Sequence, residues 1–171
     1  LRWKMGLIST TEWEQPYRGF GRTVDFPTPD ELAQFNYAAG RLGTAGSTQE
    51  LTFGPVINVL NSNPNWMRKG AYLVLIIVSD EEEQTWNVST DQFIANMAGR
   101  LDGNAGRFAA FGVFGPESNH KNQKFDEVVR KTGGKVYDIA SNDFGTLLAQ
   151  LGQDLVLRTS VVVPEIMLDQ V

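Results

Sequence analysis

The chain has no cysteine, one histidine and fewer basic than acidic side chains, and each shortage removes a class of chemistry. Without cysteine there is no disulfide framework, no zinc–thiolate centre and no thiol nucleophile. His120 lies in a loop rich in Pro, Glu, Ser, Asn and Lys, and no serine sits in G-x-S-x-G, so a Ser–His nucleophile finds no support. Neither G-x-x-x-x-G-K-[ST] nor G-x-G-x-x-G follows a strand pattern, and Gly19-Phe20-Gly21 is too short for either. A formal net charge of −5 argues against nucleic acid and anionic membrane surfaces, which need a basic face, and suits a protein that binds cations. The longest apolar run is about half of the ~20 residues a membrane helix needs, and no basic-then-apolar leader opens the sequence.

What is present is the composition of a folded domain, 42% apolar and 20% charged, in 171 residues that suffice for one α/β core rather than two. The run from Ala71 to Val78 is apolar or aromatic without polar alternation and ends in Ser79-Asp80. Such a run predicts a strand buried on both faces, as in a parallel sheet covered by helices. Its C-terminal tip is where open α/β sheets place ligand sites.

Around it, strand and helix patterns alternate. Trp3 to Ser9 reads as a strand, and Arg22 to Asp25 as a short edge strand after a Gly- and Pro-containing loop. Pro29-Asp30-Glu31 opens a helix with Leu32, Phe35, Ala39 and Leu42 at helical spacing, stopped by Gly43. A second helix carries Leu51, Val56, Val59 and Leu60, with Pro55 expected to bend or break it. Ser89-Thr90-Asp91 starts another, with Phe93, Ile94, Met97 and Leu101 inward. Arg107 to Phe114 is a strand whose phenylalanines divide between its two faces. Phe125, Val128 and Val129 mark a helix stopped by Gly133-Gly134, and Val136 to Ile139 a strand. Phe144, Leu147, Leu148, Leu151 and Leu155 mark a final amphipathic helix. The alternation predicts a three-layer αβα sandwich around a mainly parallel, doubly wound, Rossmann-like sheet. Residues 1–158 form this domain, and 159–171 a β-prone tail or the start of a following segment.

The chemistry that remains is oxygen chemistry at strand tips and loops: Thr10, Thr11, Ser47, Thr48, Ser79, Asp80 and the triplet Glu81 to Glu83. Carboxylate and hydroxyl oxygens suit a hard divalent cation. The same residues have ordinary uses, since Ser47 and Thr48 suit helix caps and three adjacent glutamates suit a solvated loop.

Together these pieces resemble a von Willebrand factor A domain of the bacterial secreted or lipoprotein-type branch. The resemblance rests on Met5-Gly-Leu-Ile-Ser-Thr10 as the second strand, Gly46-Ser47-Thr48-Gln49-Glu50 as the second metal loop, and Leu73 to Asp80 as the central strand. It implies a metal-ion-dependent adhesion site for Mg²⁺ (or Mn²⁺ or Ca²⁺), with Thr48 and Asp80 as ligands and Ser47 and Glu81 as secondary candidates. A protein or glycan partner would complete the coordination with a carboxylate. It implies a binding or adhesion module rather than an enzyme, extracellular, on a bacterial surface or in the periplasm, without membrane insertion. The family's D-x-S-x-S motif is absent from these residues, as Asp138-Ile139-Ala140-Ser141 lacks the spacing and Leu168-Asp169-Gln170-Val171 lacks the serines. The first strand with that motif is therefore expected upstream of Leu1 or from another chain. The alternatives are an assembly domain with an incomplete or vestigial metal site, and an intracellular scaffold of an ATPase complex. A phosphoryl-transfer enzyme would need a lysine late in the sheet, where Lys135 is the one available.

Overall fold

Phenylalanines at 108, 111 and 114, on one strand and the residue that follows it, organise the core. The computed structural model describes residues 3–8, 24–26, 33, 36–37, 39–40, 51–114, 123–141 and 143–159. In order, the elements are β1 (Trp3–Met5), β2 (Val24–Phe26), α1 (Phe53–Ser62), β3 (Leu73–Val78), α2 (Thr90–Gly99), β4 (Phe108–Val113), α3 (Gln123–Lys131), β5 (Val136–Tyr137) and α4 (Phe144–Thr159), with a 3-10 turn at Ala105–Arg107 before β4. Ala33, Asn36, Tyr37, Ala39 and Gly40 are also helical, where the Pro29 helix is expected. β3, β4 and β5 form a parallel three-stranded open sheet in that order, while β1 and β2 pair antiparallel in a separate sheet. The described residues thus define a mixed α/β protein, and none of their helices is long and apolar enough to cross a membrane.

All six residues of β4 are buried. Phe108, Ala110 and Phe114 meet Phe53 of α1, Phe93 and Met97 of α2, and Phe125 and Val128 of α3 on one face. Phe111 and Val113 meet Tyr137 and, from α4, Leu147 and Leu151 on the other. The division of the three phenylalanines is the expected one. Phe53 and Phe93 stack at 4.2 Å, and Phe93 meets Phe108 edge-on at 5.9 Å. Each such pair adds roughly 0.5–1.5 kcal/mol to the burial of its rings.

β3 departs from expectation. Its sequence is that of a strand covered on both faces, yet it pairs only with β4 among the described residues. Leu73 and Ile77 are buried against the helices, whereas Ile76 is 40% and Val78 60% exposed on the opposite face. Val74 on that face still packs against the cluster that holds Leu147 and Leu151 of α4, so the cover stops short of Ile76 and Val78 at the edge of the three-stranded sheet.

Local signals account for the helix ends. Ser89 caps α2 in a capping box with Gln92, as its sequence suggests. Gly133 closes α3 at φ 68°, with Gly134 N–H donating to Val129 O and Gly133 N–H to Arg130 O, a Schellman arrangement. Pro55 does not bend α1: the helix begins at Phe53, so Pro55 falls in the first turn, where no N–H is required. Leu51 consequently lies before the helix, and Phe53, unremarked in the helical spacing, is fully buried. Leu148, expected inward on α4, is exposed. The strand at Trp3 ends at Met5, and Gly6 to Ile8 continue without strand pairing.

Candidate functional site

β3 delivers Ser79 and Asp80 to its C-terminal tip, where the chain turns into the loop leading to α2. Ser79 is buried and extends the strand register, its N–H donating to Val113 O at 3.3 Å. Its hydroxyl donates to Glu81 O at 3.0 Å and accepts from Glu81 N–H at 3.1 Å. Those bonds commit the hydroxyl to the turn. The turn in exchange leaves the Asp80, Glu81 and Glu82 carboxylates exposed.

Glu83 behaves differently from its neighbours. It is 5% exposed, against the expectation of a solvated triplet. One carboxylate oxygen accepts from Thr52 N–H at 2.7 Å and Phe53 N–H at 3.2 Å, at the start of α1. The other accepts from Thr85 N–H at 2.8 Å. A carboxylate at a helix N-terminus meets unpaired N–H donors and the positive end of the helix dipole, which stabilises its charge. It thereby takes the capping role that the Thr52 side chain leaves unfilled. Thr85 strengthens the same joint, its hydroxyl accepting from Gly54 N–H at 3.3 Å.

The far end of the loop is fixed by α3. Lys124 Nζ donates to Thr85 O at 2.6 Å and to Val88 O at 3.4 Å. Between these ties Trp86 stands 88% exposed. A tryptophan so exposed, six positions beyond Asp80 on one loop, is an unusual surface feature, since large apolar side chains are normally withdrawn from water.

Sequence reasoning named Asp80 and Glu81, and both are exposed at the strand tip. Ser47, Thr48, Thr10 and Thr11 lie outside the described residues, as does His120. Among the described residues no three Asp, Glu or His side chains gather into a ready cage for a metal ion. Asp80 and Glu81 nevertheless offer the hard oxygen donors a divalent cation prefers, whereas Ser79 and Glu83 are engaged elsewhere. Lys135 is held by Asp154 at 2.7 Å. Sequence reasoning missed the capping role of Glu83 and the exposure of Trp86. No signal separates Glu83 from Glu81 and Glu82, but a tryptophan flanked by Thr85 and Asn87 in a polar loop is a readable one.

No protein-family model matches this chain, and no curated protein matches it.

Proposed function

We propose that this chain is a divalent-cation-dependent binding domain of the von Willebrand factor A type. In this reading it is a three-layer sandwich in which Asp80 and Thr48 hold Mg²⁺, Mn²⁺ or Ca²⁺ at the C-terminal edge of the sheet, with Ser47 and Glu81 as further donors. It acts by binding rather than catalysis, on a bacterial surface or in its envelope. The carrying observation is Asp80 itself, an exposed carboxylate at the C-terminal tip of a parallel strand, on a loop that Glu83 ties to the start of α1. That tie sets the loop bearing Asp80 beside the helix that follows Ser47 and Thr48 in the chain. A neutral hydroxyl and few direct carboxylates would leave the ion electrophilic, open to a carboxylate from a protein or glycan partner. Trp86 would add apolar contact beside it, a residue type enriched where binding energy concentrates.

Two further features fit the same reading. The second edge of β3 suits an additional strand, from an upstream segment or another chain, carrying the D-x-S-x-S donors. The division of the strands into a β1–β2 pair and a β3–β5 sheet suits a strand between them. A second reading, an assembly domain whose metal site is vestigial, is favoured by the apolar exposure of Tyr72, Ile76 and Val78 along that edge.

Calorimetry with Mg²⁺ and Mn²⁺ separates the two. The metal-dependent reading expects saturable binding that Asp80→Ala abolishes and Trp86→Ala leaves intact. Heat that is absent when the strand bearing the D-x-S-x-S donors is supplied, or unchanged in Asp80→Ala, sinks it and leaves the assembly reading.

A further inference from the structure

The end of the sheet opposite Asp80 holds a cleft of about 500 Å³ where β3 and β4 begin. Arg68, Lys69, Arg100 and Arg107 line it, with Asp102 as the one carboxylate in its wall. This gathers four of the chain's 15 cationic side chains in one place, although the whole molecule carries −5. The last turns of α1 and α2 also end here, and each helix C-terminus contributes roughly half a negative charge. Arg107 is paired with Asp102, but among the described residues neither Arg100 nor Lys69 has a carboxylate partner, and the two helix ends do not offset that charge.

The guanidiniums are positioned in advance. Arg100 donates from Nε to Asn96 Oδ1 at 3.1 Å and from Nη2 to Asn61 Oδ1 at 2.6 Å, both neutral amides that leave its charge unmatched. Arg107 Nη2 donates to Leu101 O at 3.1 Å and lies 3.4 Å from Asp102 Oδ2. These bonds fix both planes while leaving most N–H donors of each fork unused among the described residues. Gly70 turns the chain beside Arg107 at φ 75°, a left-handed conformation that favours glycine. Pro64 and Met67 give the same cleft an apolar side.

We infer that this cleft binds the phosphate group of a small phosphate ester. Arg100 and Arg107 supply planar forks matched to phosphate oxygens, Lys69 adds a point charge, and the Pro64–Met67 wall takes the organic part. A cleft of this volume is in the range of small-molecule sites. A cleft this small, on a chain whose formal net charge is −5, suits a single phosphate group rather than an extended nucleic acid. The site is independent of any cation at Asp80.

The test is an NMR titration of the whole chain with inorganic phosphate and with phenyl phosphate, at ionic strength held constant with sodium chloride. The inference expects saturable shifts at the Gly70, Gly103 and Gly106 amides, tighter binding of phenyl phosphate than of inorganic phosphate, and roughly tenfold weakening of both by Lys69→Glu. Lys69 is exposed, so this variant leaves the fold intact. Shifts that do not saturate, that chloride reproduces, or that Lys69→Glu leaves unchanged overturn the site. Equal affinity for the two ligands overturns the assignment of an ester.

Discussion

Glu81, Glu82 and Glu83 are the same residue in sequence, yet only Glu83 enters the interior, because three N–H donors from two segments converge on it. Removing its carboxylate leaves those donors buried without partners. Glu83→Ala is therefore expected to cost about 2–4 kcal/mol, and Glu83→Gln roughly half as much, because its amide retains one accepting oxygen. Urea unfolding at unchanged m-value measures both. The ionisable residues fix the pH response. The Lys131 ammonium, 2.6 Å from its carboxylate, holds Glu127 below its ordinary value of 4.5, and the Thr146 hydroxyl and N–H hold Asp143 below 3.8. Their contribution to stability is present above those ordinary values and is lost as pH falls through the lowered ones. Burial first, and then the hydrogen bond to Asp154 at 2.6 Å, push the Tyr137 phenol above its ordinary 10.0. Its contribution is present below pH 10.0 and disappears as pH rises through the raised value. Thermal melts across the pH range should thus decline at both ends, and Asp154→Asn should bring the phenolate absorbance change of Tyr137 to lower pH.

At the scale of elements, close approach and edge exposure set the constraints. Gly134 passes so near β4 that a Cβ would lie 1.7 Å from Ala110 O, where backbone rather than a movable side chain blocks it. Gly134→Ala is expected to lower stability by about 1–3 kcal/mol or more, read from the urea midpoint, whereas Gly99→Ala on the exposed side of α2 is expected to be neutral or stabilising. β3 is the element whose surroundings contradict its composition. An apolar edge strand is a template for pairing. The chain alone is accordingly expected to self-associate, and Val78→Lys, at a site 60% exposed, to return its sedimentation toward the 19.0 kDa monomer with little loss of stability.

These elements also mark what could be read in advance. Periodicity located α2, α3 and α4, because each buries a stripe that recurs at helical spacing, and Ser89 and Gly133 carry end signals with local causes. The burial of β4 and the tip position of Asp80 were legible for the same reason: strand chemistry is written in consecutive residues. The edge position of β3 was not, since apolar composition reports what a strand can bury and not which neighbours it has. Glu83 was hidden because its partners Thr52 and Phe53 lie about thirty positions away, a long-range contact with no local signature. Leu148 groups with the α4 stripe by sequence, but Leu147, Leu151 and Leu155 recur every four residues against the sheet, and Leu148 stands one position off it, turned toward solvent.

At the scale of the molecule, the two ends of the sheet differ in charge. The end where β3 finishes presents Asp80, Glu81 and Glu82. The end where β3 and β4 begin presents the four cations of the cleft. Among the described residues one end thus offers carboxylates and the other cationic side chains, and the first is central to the proposed function. Mn²⁺ tests that face most directly, because paramagnetic broadening reports where the ion sits without any knowledge of the partner. Substoichiometric Mn²⁺ is predicted to broaden the amide signals of Ser79 to Glu82 first and those of the cleft residues Gly70 and Gly106 last, with excess Mg²⁺ restoring the former. Broadening spread over every exposed carboxylate, or none at Asp80, would contradict a cation site at the tip of β3.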